Sequence, residues 1–600
     1  MKNMYLLTVL LAGTFLSSPA FAGDYRVTVD QLNSASDRFV FSKITDMAGT
    51  TVVSEPWNGT DSIELVDYNN PYAIRMFDFT YTPPADYELI EESGNISDYD
   101  LNDVTVHNLY FSNSADHFDQ NISGDFINID MLYNGGNLGN ISGNFVNWVI
   151  EQYNSGKQLV SMGDISGNFI TGYGIHNSNH GSQWGERAVI GNITADLVAG
   201  NNIFLYNRNG TVGDISVNTA INNVADEGRG GFIYNEGLEG YFYRDQYEYR
   251  GEPEFADDGR ISNPEKYSAQ IGNISGNIIG NMALGPWFAA GGAIFNAFGQ
   301  IGDISADFLG NYAAYFYYDE PLPLKATTKL VVDEYSHPQF AGGAITNYNG
   351  KIGTITGNFK DNFAEGPGIA AGGAIYNQVF LESDTQPIVQ DYAGPNDAET
   401  KNAVLLMDVY AERMNIEGST FDGNYAHSTE ANAYGGAIDN EFFFQNRVSE
   451  WEGYLNYESE YLERGYVYMT DEELQQKVID AKANAALTLT NANFINNHAD
   501  SDSGRAFGGA IYSTGDVNVI AKDGKTSLFK GNTANGENNA IYMKYSFSTY
   551  DYIRDTAPDE NEIIYSNLNL SATDKGVIQF DDVIDGDGYN INVSGDGTGV

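Results

Sequence analysis

The sequence predicts an all-β fold, a parallel β-helix in which the chain coils around a central core. Two short phrases alternate along it: Gly-Gly-Ala-Ile followed by one residue and Asn, and Ile-Ser-Gly-Asn-Phe or a close variant. The second phrase runs into Phe-x-x-Asn-x-Ala at Phe308 and Phe359, and the same ending recurs at Phe421, Phe494 and Phe529. Repetition of this kind indicates a structural unit that buries its apolar face only against copies of itself.

The five-residue phrase predicts a strand. Apolar and polar residues alternate in it with a period of two, so Ile355, Gly357 and Phe359 share one face while Thr and Asn occupy the other. The inward face thus carries a small residue between two large ones. The same frame begins at Ile122, Ile141, Ile165, Ile193, Ile274 and Ile304. We expect these segments to stack as parallel strands about 4.8 Å apart.

The glycines and asparagines of the repeat predict its corners. Gly-Gly-Ala-Ile begins at Gly291, Gly342, Gly372, Gly435 and Gly508. Glycine permits a positive φ and close backbone approach, and stacked Asn side chains form amide ladders. Because parallel crossovers are nearly always right-handed, we expect a right-handed parallel β-helix. The alternative is a β-sandwich, which would need Asn-Gly hairpin turns that are sparse here.

The paired phrases Gly-Gly-Ala-Ile and Phe-x-x-Asn resemble the repeats of the chlamydial polymorphic outer-membrane proteins. From about residue 94 to 600 the chain is similar to the β-helical passenger of a bacterial autotransporter. The resemblance implies a pectin-lyase-like solenoid, export through an outer-membrane barrel and presentation at the cell surface. The alternating strands of about ten residues that build such a barrel are not found before Val600.

The N-terminal residues predict export. Residues 1–22 have a basic start at Lys2, an apolar run and an Ala20-Phe-Ala22 cleavage site before Gly23, which is typical of a secretory signal peptide. We therefore expect a secreted or bacterial cell-surface location, associated with the outer membrane. Residues 23–93 lack the repeat, and we interpret them as an N-terminal cap leading into the first coils. The repeat-bearing solenoid then spans 94–600.

The composition excludes several kinds of partner and site. The chain has 30 basic and 81 acidic residues, a net charge of −51, so no nucleic acid partner is expected. It has no Cys, which excludes disulfides and thiolate ligands. No metal-ligating pattern stands out, because Asp585-Gly-Asp587-Gly lacks the spacing of a calcium loop. No metal and no cofactor are predicted.

Four insertions interrupt the repeat near 236–269, 314–339, 378–412 and 441–485. Insertions in a solenoid form loops that often lie on its binding face, and exposed Tyr offers a large contact area at low entropic cost. The candidate binding residues are Tyr241, Tyr243, Tyr247, Tyr249, Tyr315, Tyr317, Tyr318, Trp451 and Tyr454. Within the fourth insertion, Thr470-Asp-Glu-Glu473 is a capping box that predicts a short helix to about Asn484.

The sequence favours a non-enzymatic function. Asp581-Asp582 and His180 are the residues that a polysaccharide hydrolase would use, but they are far apart in the sequence and in the wrong order. Asp500-Ser-Asp-Ser-Gly504 is more typical of a polar loop than of a protease nucleophile segment. No catalytic residue is therefore predicted, and the chain is not expected to be an enzyme.

The expected function is adhesion or self-association by a surface-presented passenger. Its partner would be a protein or glycan on a host cell or a neighbouring cell, or a second copy of the chain. Two alternatives remain open. One is a β-helix enzyme acting on polysaccharide, and the other is an inert spacer that lifts another domain from the cell.

Overall fold

The computed structural model is a parallel β-helix. It describes residues 26–34, 37–45, 51–54, 61–64, 88–90, 93–96, 99–101, 104–107, 110–113, 120–154, 159–179, 188–200, 202–221, 223–225, 228–237, 268–285, 288–315, 339–387, 402–407, 414–448, 467–549 and 563–596. The signal peptide expected at 1–22 lies outside these residues. Within them, no helix is both long and apolar enough to cross a membrane.

One central coil illustrates the repeat. It runs from Ile345 to Ala374, and Ile375 then stacks directly on Ile345. Its strands are Ile345–Tyr348, Lys351–Ile352, Thr354–Ile355, Phe359–Lys360, Phe363–Gly366 and Ala370–Ala371. Each pairs in parallel with its counterpart in a neighbouring coil, so six columns of short strands surround one core.

Two of these columns carry the longer strands. The phenylalanine sheet contains Ile122–Asn134, Ile141–Asn154, Ile165–Asn179, Ile193–Ala199, Ile215–Ile221, Ile274–Ile279, Asp307–Leu309, Phe359–Lys360, Thr420–Asp422, Asn493–Ile495, Thr526–Lys530 and Val577–Phe580. The asparagine sheet contains Leu205–Arg208, Ile233–Glu236, Ile294–Ala297, Ile345–Tyr348, Ile375–Pro387, Ile438–Val448, Ile511–Ser513, Ile541–Lys544 and Ile584–Asp587, and the C-terminal halves of the first three long strands continue it toward the N-terminus.

Four columns of shorter strands complete the coils. The alanine sheet has Val224–Ala225, Met282–Gly285, Tyr312–Tyr315, Phe363–Gly366, Tyr425–Ser428, His498–Ser501, Thr533–Ala534 and Glu537–Asn538. The corner sheet, which leads into each glycine corner, has Ala289–Ala290, Phe340–Ala341, Ala370–Ala371, Ala433–Tyr434 and Ala506–Phe507. The third of these sheets consists of Asn137–Leu138, Val160–Met162, Ala188–Ile190, Thr211–Val212, Gln270–Ile271, Gln300–Ile301 and Lys351–Ile352. The fourth consists of Thr354–Ile355, Asn415–Glu417, Leu487–Thr490, Val517–Ala521, Ser566–Ala572 and Tyr589–Gly595.

The segment before residue 120 differs from the coils that follow. Arg26–Ser34, Asp37–Thr45, Thr51–Ser54 and Asp61–Glu64 form a four-stranded antiparallel sheet. The short strands Glu88–Ile90, Gly94–Asn95, Val104–His107 and Tyr110–Asn113 already pair in parallel with one another or with Ile122–Asn134. The parallel stacking therefore begins near residue 88, and the residues expected to cap it include an antiparallel sheet.

Stacked aromatic rings fill one side of the core. Phe359 is fully buried, and its ring centroid lies 4.8 Å from that of Phe308 and 4.7 Å from that of Phe421. Such offset stacks add to the free energy gained by burying the rings. The inward direction predicted for Phe359 is confirmed, as is the all-β, parallel-stacked architecture.

Steric contact between coils explains why glycine occupies the position between the two large residues of the frame. Gly143 has a φ of 137°, and a Cβ built on it would lie 1.8 Å from the carbonyl oxygen of Gly124 in the preceding coil. The alternation of apolar and polar residues predicted a regular strand here, but the backbone at this glycine departs from regular strand geometry. One result is that Asp125, expected to face outward, is buried and accepts a hydrogen bond of 3.0 Å from Asn144 Nδ2.

A buried amide ladder follows the asparagine sheet. Asn296 Nδ2 donates to Asn347 Oδ1 at 2.8 Å, and Asn347 Nδ2 donates in the same way to Asn377 at 2.8 Å. The full ladder is Asn113, Asn134, Gln152, Asn177, Asn207, Asn235, Asn296, Asn347, Asn377, Asn440 and Ser513. The ladders predicted from the repeat are confirmed, and they satisfy polar groups that would otherwise be costly to bury.

A second ladder lies where the phenylalanine sheet turns into the alanine sheet. Its members are Asn223, Asn281, Asn311, Asn362, Asn424, Asn497, Asn532 and Asp582. At each step both the backbone N–H and the side-chain amide donate to the next side-chain oxygen. At the last step Asp582 Oδ2 accepts from Asn532 N at 2.8 Å and from Asn532 Nδ2 at 2.7 Å.

A lateral lobe projects from the asparagine sheet. Ile375–Pro387 and Ile438–Val448 run on past the coil and stay paired in parallel as far as Thr385 and Val448. Asn402–Met407 and Val467–Met469 extend this sheet with antiparallel pairings, and Ser546–Thr549 with Ile563–Ile564 adds to its other side. In the third and fourth insertions the described residues are therefore strands and one helix.

The lobe has its own small core. The helix Asp471–Asn484 begins at the N-cap Thr470, whose side chain accepts from Glu473 N while the Glu473 carboxylate accepts from Thr470 N, so the predicted capping box is confirmed. The helix side chains Leu474 and Val478 pack with those of the two long strands, namely Val379, Leu381, Phe442 and Phe444. This packing fixes the lobe to the solenoid as a folded element.

Candidate functional site

The candidate site lies on the outer face of the asparagine sheet, beside the glycine turn through which the corner sheet leads into it. Gly435 has a φ of 58° and turns the chain between Tyr434 and Ile438. Ile438 points into the central core, so the next residue, Asp439, points outward. The corner brings the outer faces of the two strands together, because residues of both belong to one buried cluster outside the central core.

A column of mostly aromatic residues lines this corner, one from each coil. It occupies the position between Ile and Asn in the Gly-Gly-Ala-Ile phrase, and we term it the outer column. Its members in register are His176, Tyr206, Tyr234, Phe295, Thr346, Tyr376, Asp439, Tyr512, Tyr542 and Asp585. Tyr206 and Tyr234 are stacked with ring centroids 4.6 Å apart. The column is thus a mostly apolar outer layer that is interrupted by Thr346 and Asp439 and ends at the exposed Asp585.

Asp439 is the anomaly in this layer. It is in register with Tyr376 and Tyr512 and has an exposed fraction of 0%. Neither of its carboxylate oxygens has a hydrogen-bond partner among the residues that the structure describes. An isolated buried carboxylate is unfavourable, because no neighbouring group replaces the hydration that it loses.

Glu441 lies two residues along the same face and is also buried. It accepts a hydrogen bond of 2.5 Å from Tyr376 Oη and a longer one of 3.4 Å from Gln378 Nε2. Asp439 and Glu441 thus place two carboxyl groups on one face of the strand, close enough to Tyr376 and Tyr512 to act on both by their charge. Tyr376 and Tyr512 belong to one buried cluster with Tyr434.

Both carboxyl groups have a raised pKa. Burial, with a smaller contribution from the charge of Glu441, raises the pKa of Asp439 well above its usual range. Burial also raises the pKa of Glu441, but only to about 7, because the hydrogen bond from Tyr376, the charge of Lys544 and the hydrogen bond from Gln378 favour the carboxylate. Burial therefore favours the protonated form of both carboxyl groups, and shifted pKa values of this kind are often found at functional sites.

A second cluster of titratable groups lies on the alanine sheet. The buried His427 has its Nδ1 3.0 Å from Glu365 Oε1 and its Nε2 3.3 Å from Asp502 Oδ1. Burial acts to lower the pKa of His427, but the contacts with Glu365 and then Asp502 outweigh it and leave that pKa raised. His427 thus joins three successive coils through charge-assisted hydrogen bonds.

The residues predicted to bind a partner fall mostly outside the described part of the chain. Tyr241, Tyr243, Tyr247, Tyr249, Tyr317, Tyr318, Trp451 and Tyr454 all lie there. Tyr315 is described: it is partly buried, and its ring meets that of Phe340 edge to face with centroids 6.3 Å apart. Tyr315 is thus the candidate whose surroundings the structure describes.

Other residues singled out from the sequence have structural roles. Asp582 ends the second amide ladder, as described above. Ser501 Oγ contacts Ala431 O and accepts from Gly504 N at 2.7 Å, which stabilises a turn as predicted for this polar segment. His176 stacks on Tyr206, while His180 lies outside the described residues.

Asp439 and Glu441 were not among the residues predicted from the sequence. A signal existed, because the residue after Gly-Gly-Ala-Ile is Phe295, Thr346, Tyr376 and Tyr512 in other coils and Asp439 in one. Recognising it would have required knowing that this outward position is buried, which depends on the corner between two sheets. In the described ranges, no group of three or more His, Asp or Glu residues is placed to hold a metal ion.

Comparison with protein-family models, with curated proteins and with solved structures finds no match to this chain.

Proposed function

We propose that this chain is an exported, surface-presented β-helical passenger that acts in adhesion or self-association. The lateral lobe carries this proposal. Stacking coils requires only short strands, yet Ile375–Pro387 and Ile438–Val448 continue well past the coil and support a helix. An ordered scaffold that holds variable segments is a common arrangement for a binding surface.

The candidate aromatic residues of the fourth insertion are tied to this lobe. Residues 449–466, with Trp451 and Tyr454, connect the lobe strand Ile438–Val448 to the lobe strand Val467–Met469. Residues 388–401 connect Ile375–Pro387 to Asn402–Met407 in the same way. Both segments therefore begin and end on the lobe, and we assign the contact with a protein or glycan partner, or with a second copy, to them.

Replacement of the connecting segments tests this assignment. The chain from Gly23 to Val600 is compared with variants in which 388–401 and 449–466 are replaced by Gly-Ser linkers that keep the lobe strands. Binding to host cells, to matrix proteins and to the protein itself is measured. A matched control replaces 240–265 of the first insertion in the same way. Loss of binding only in the lobe variants, with an unchanged far-UV spectrum, is the expected result.

Two other results would redirect the proposal. If binding survives replacement of the tyrosine-rich segments of all four insertions, the coil surface is the binding site and the assignment to the lobe is wrong. If the intact chain binds none of these partners, the spacer alternative replaces adhesion.

The alternative of a polysaccharide-acting enzyme gains one supporting observation. Asp439 and Glu441 form a buried carboxyl pair whose pKa values are both raised, and a carboxyl group with a raised pKa can act as a general acid. This alternative predicts that the chain releases new reducing or unsaturated ends from polysaccharide and that Glu441→Gln abolishes the release. An unchanged rate in that variant would exclude the pair from such chemistry.

A further inference from the structure

We infer that Asp439 and Glu441, together with the rings of Tyr376, Tyr434 and Tyr512, form a binding site for a primary ammonium group. This site belongs to the coil corner. The inference therefore does not depend on whether the lateral lobe binds a partner.

The carboxyl group of Asp439 lacks hydrogen-bond donors among the described residues. Both of its oxygens are buried and lack a partner among the described residues. The adjacent Glu441 has Tyr376 and Gln378 as donors and lies within the electrostatic influence of Lys544. The pair thus has hydrogen bonds and a nearby cation on the Glu441 side only. A bound cation with several donor hydrogens would supply what Asp439 lacks.

The aromatic rings around the two carboxyl groups also favour a cation. Tyr434 and Tyr512 have centroids 4.7 Å apart at an interplanar angle of 51°, so they form a tilted wall rather than a closed stack. Both belong to the same cluster as Tyr376. The faces of aromatic rings attract cations, and the attraction grows when the site is shielded from water. Carboxylates within aromatic walls therefore favour an organic ammonium group.

Asp439 occupies a position of the outer column that is filled by tyrosine in both neighbouring coils. Tyr376 and Tyr512 occupy the same column position in the coils on either side. A tyrosine at position 439 would continue the apolar layer and leave no buried charge. The aspartate is thus unfavourable for packing alone, and its cost is understandable if a cation occupies the site.

The rings limit access to the site without placing it in the deep core. Tyr376, Tyr434 and Tyr512 are 4%, 8% and 5% exposed, whereas Asp439 is fully buried. Entry of a ligand therefore requires side chains around Asp439 to move. We therefore expect a small, slim group to bind best, such as the amine of an amino sugar or of a lysine side chain.

Calorimetric titration of the Gly23–Val600 chain tests the inference. Methylammonium chloride is the first probe, with sodium chloride at equal ionic strength as its control. Glucosamine paired with uncharged glucose, and Nα-acetyl-lysine amide paired with Nα-acetyl-norleucine amide, distinguish the two sources of the amine. We expect binding of methylammonium and of at least one larger amine, and no binding of the uncharged partners.

Proton release provides an independent readout. Tyr376 and Lys544 are the titratable side chains that act on Glu441, and the charges of Asp439 and Glu441 in turn act on Tyr376 and Tyr512. Tyr348 influences Tyr376, and Tyr434 and Tyr542 influence Tyr512. Because burial raises the pKa of both carboxyl groups, a cation that binds their ionised form favours release of a proton to the buffer. The measured heat at pH 7 should therefore change with the ionisation enthalpy of the buffer, whereas binding to a surface carboxylate that is already ionised would not show this dependence.

Variants decide whether Asp439 is the site. Asp439→Asn should weaken methylammonium binding by at least about tenfold, since it removes a charged acceptor from a desolvated site. Asp196→Asn changes an exposed carboxylate elsewhere on the coil and should leave binding unchanged. Asp439→Tyr restores the aromatic column, so it should fold and abolish binding. No heat with the intact chain, or equal affinity in Asp439→Asn and the intact chain, would overturn the inference.

Discussion

At the scale of single residues, Asn362 shows how one side chain can serve several coils. Its Nδ2 donates to Asn424 Oδ1 at 2.9 Å and to Phe308 O at 3.1 Å. Its Oδ1 accepts from both the backbone N and the Nδ2 of Asn311, at 3.0 Å each. Every polar atom of this buried amide is therefore used.

We predict that Asn362→Ala destabilises the protein by about 2–4 kcal/mol, because it leaves two donors of Asn311 buried without an acceptor. Asn223→Ala is the matched control. Asn223 is the first member of the ladder and only donates in it, so the loss should be smaller. Urea unfolding followed by far-UV circular dichroism measures both. Equal midpoints for the two variants would show that ladder position has no energetic effect.

His427 couples the stability of the alanine sheet to pH. Its pKa is raised above the value of about 6.5 found in unfolded chains, so the folded state favours the imidazolium. A raised pKa contributes stability that is fully present below the unfolded pKa and is lost as pH rises through the folded pKa. Glu365 and Asp502 are the groups that favour the charge.

We predict that the difference in melting temperature between the intact chain and His427→Gln decreases as pH rises from about 5.5 to 8.5. Subtracting the variant removes the contributions of Asp500 and His498, which titrate nearby. Differential scanning calorimetry gives the temperatures. A difference that grows with pH would mean that the neutral imidazole is the form stabilised by folding.

At the scale of the structural element, the two glycine positions Gly143 and Gly418 separate steric contact from backbone conformation. Both have positive φ, 137° and 71° respectively. A Cβ on Gly143 would meet Gly124 O at 1.8 Å, whereas nothing lies within 4 Å of a Cβ on Gly418. The frame glycine is therefore required by the contact between coils as well as by its conformation.

We predict that Gly143→Ala destabilises the chain by clearly more than Gly418→Ala does. The second variant should lose only the roughly 1–2 kcal/mol that an unfavourable φ costs. Thermal unfolding of the two variants side by side measures the difference. If both lose the same stability, the coils can separate locally to make room for the added methyl group.

The helix Asp471–Asn484 was predictable because its start signal is local: Thr470 and Glu473 satisfy each other's backbone N–H groups. We predict that Thr470→Ala lowers the local stability of this helix by about 1 kcal/mol, while Thr470→Ser retains it. Hydrogen exchange of the helix amides measures the change. Faster exchange in the serine variant as well would indicate that the Thr methyl group matters more than its hydroxyl.

The lateral lobe was not predictable from the sequence. Its strands pair Val379 with Phe442 and Leu381 with Phe444 across more than sixty positions of the chain. Nothing local marks Gln378 or Glu441 as a continuation of the coil strand, because the repeat phrase ends at Asn377 and Asn440. The outer layer was missed for the same reason: burial of Tyr376 and Asp439 depends on the corner between two sheets.

At the scale of the whole molecule, the sequence predicted the architecture because each coil repeats the same chemistry. Ile345, Ile375 and Ile438 fall in register although no insertion separates the first two and the insertion near 378–412 separates the last two. A solenoid tolerates this variation, since each coil interacts mainly with its two neighbours. The stacking of the coils could therefore be predicted from the repeat. The structure of the insertions could not, because they lack the repeat.

The net charge of −51 acts on the molecule as a whole. Acidic residues far outnumber basic ones, so the folded state carries strong self-repulsion. We predict that the melting temperature rises when sodium chloride increases from about 0.01 to 0.15 M, as the screening length falls from about 30 to 8 Å. Potassium chloride should act equally. A melting temperature independent of salt would mean that repulsion persists equally in the unfolded chain.

The second amide ladder also gives the molecule a direction. In every step the amide of the earlier coil donates to the later one, so the side-chain dipoles align head to tail along the solenoid. A carboxylate accepts hydrogen bonds and cannot donate one, so Asp582 can terminate this series but could not initiate it. A chain that assembles from its C-terminal coil thus always presents a ready acceptor to the next coil, and the ladder acts as a template with one reading direction.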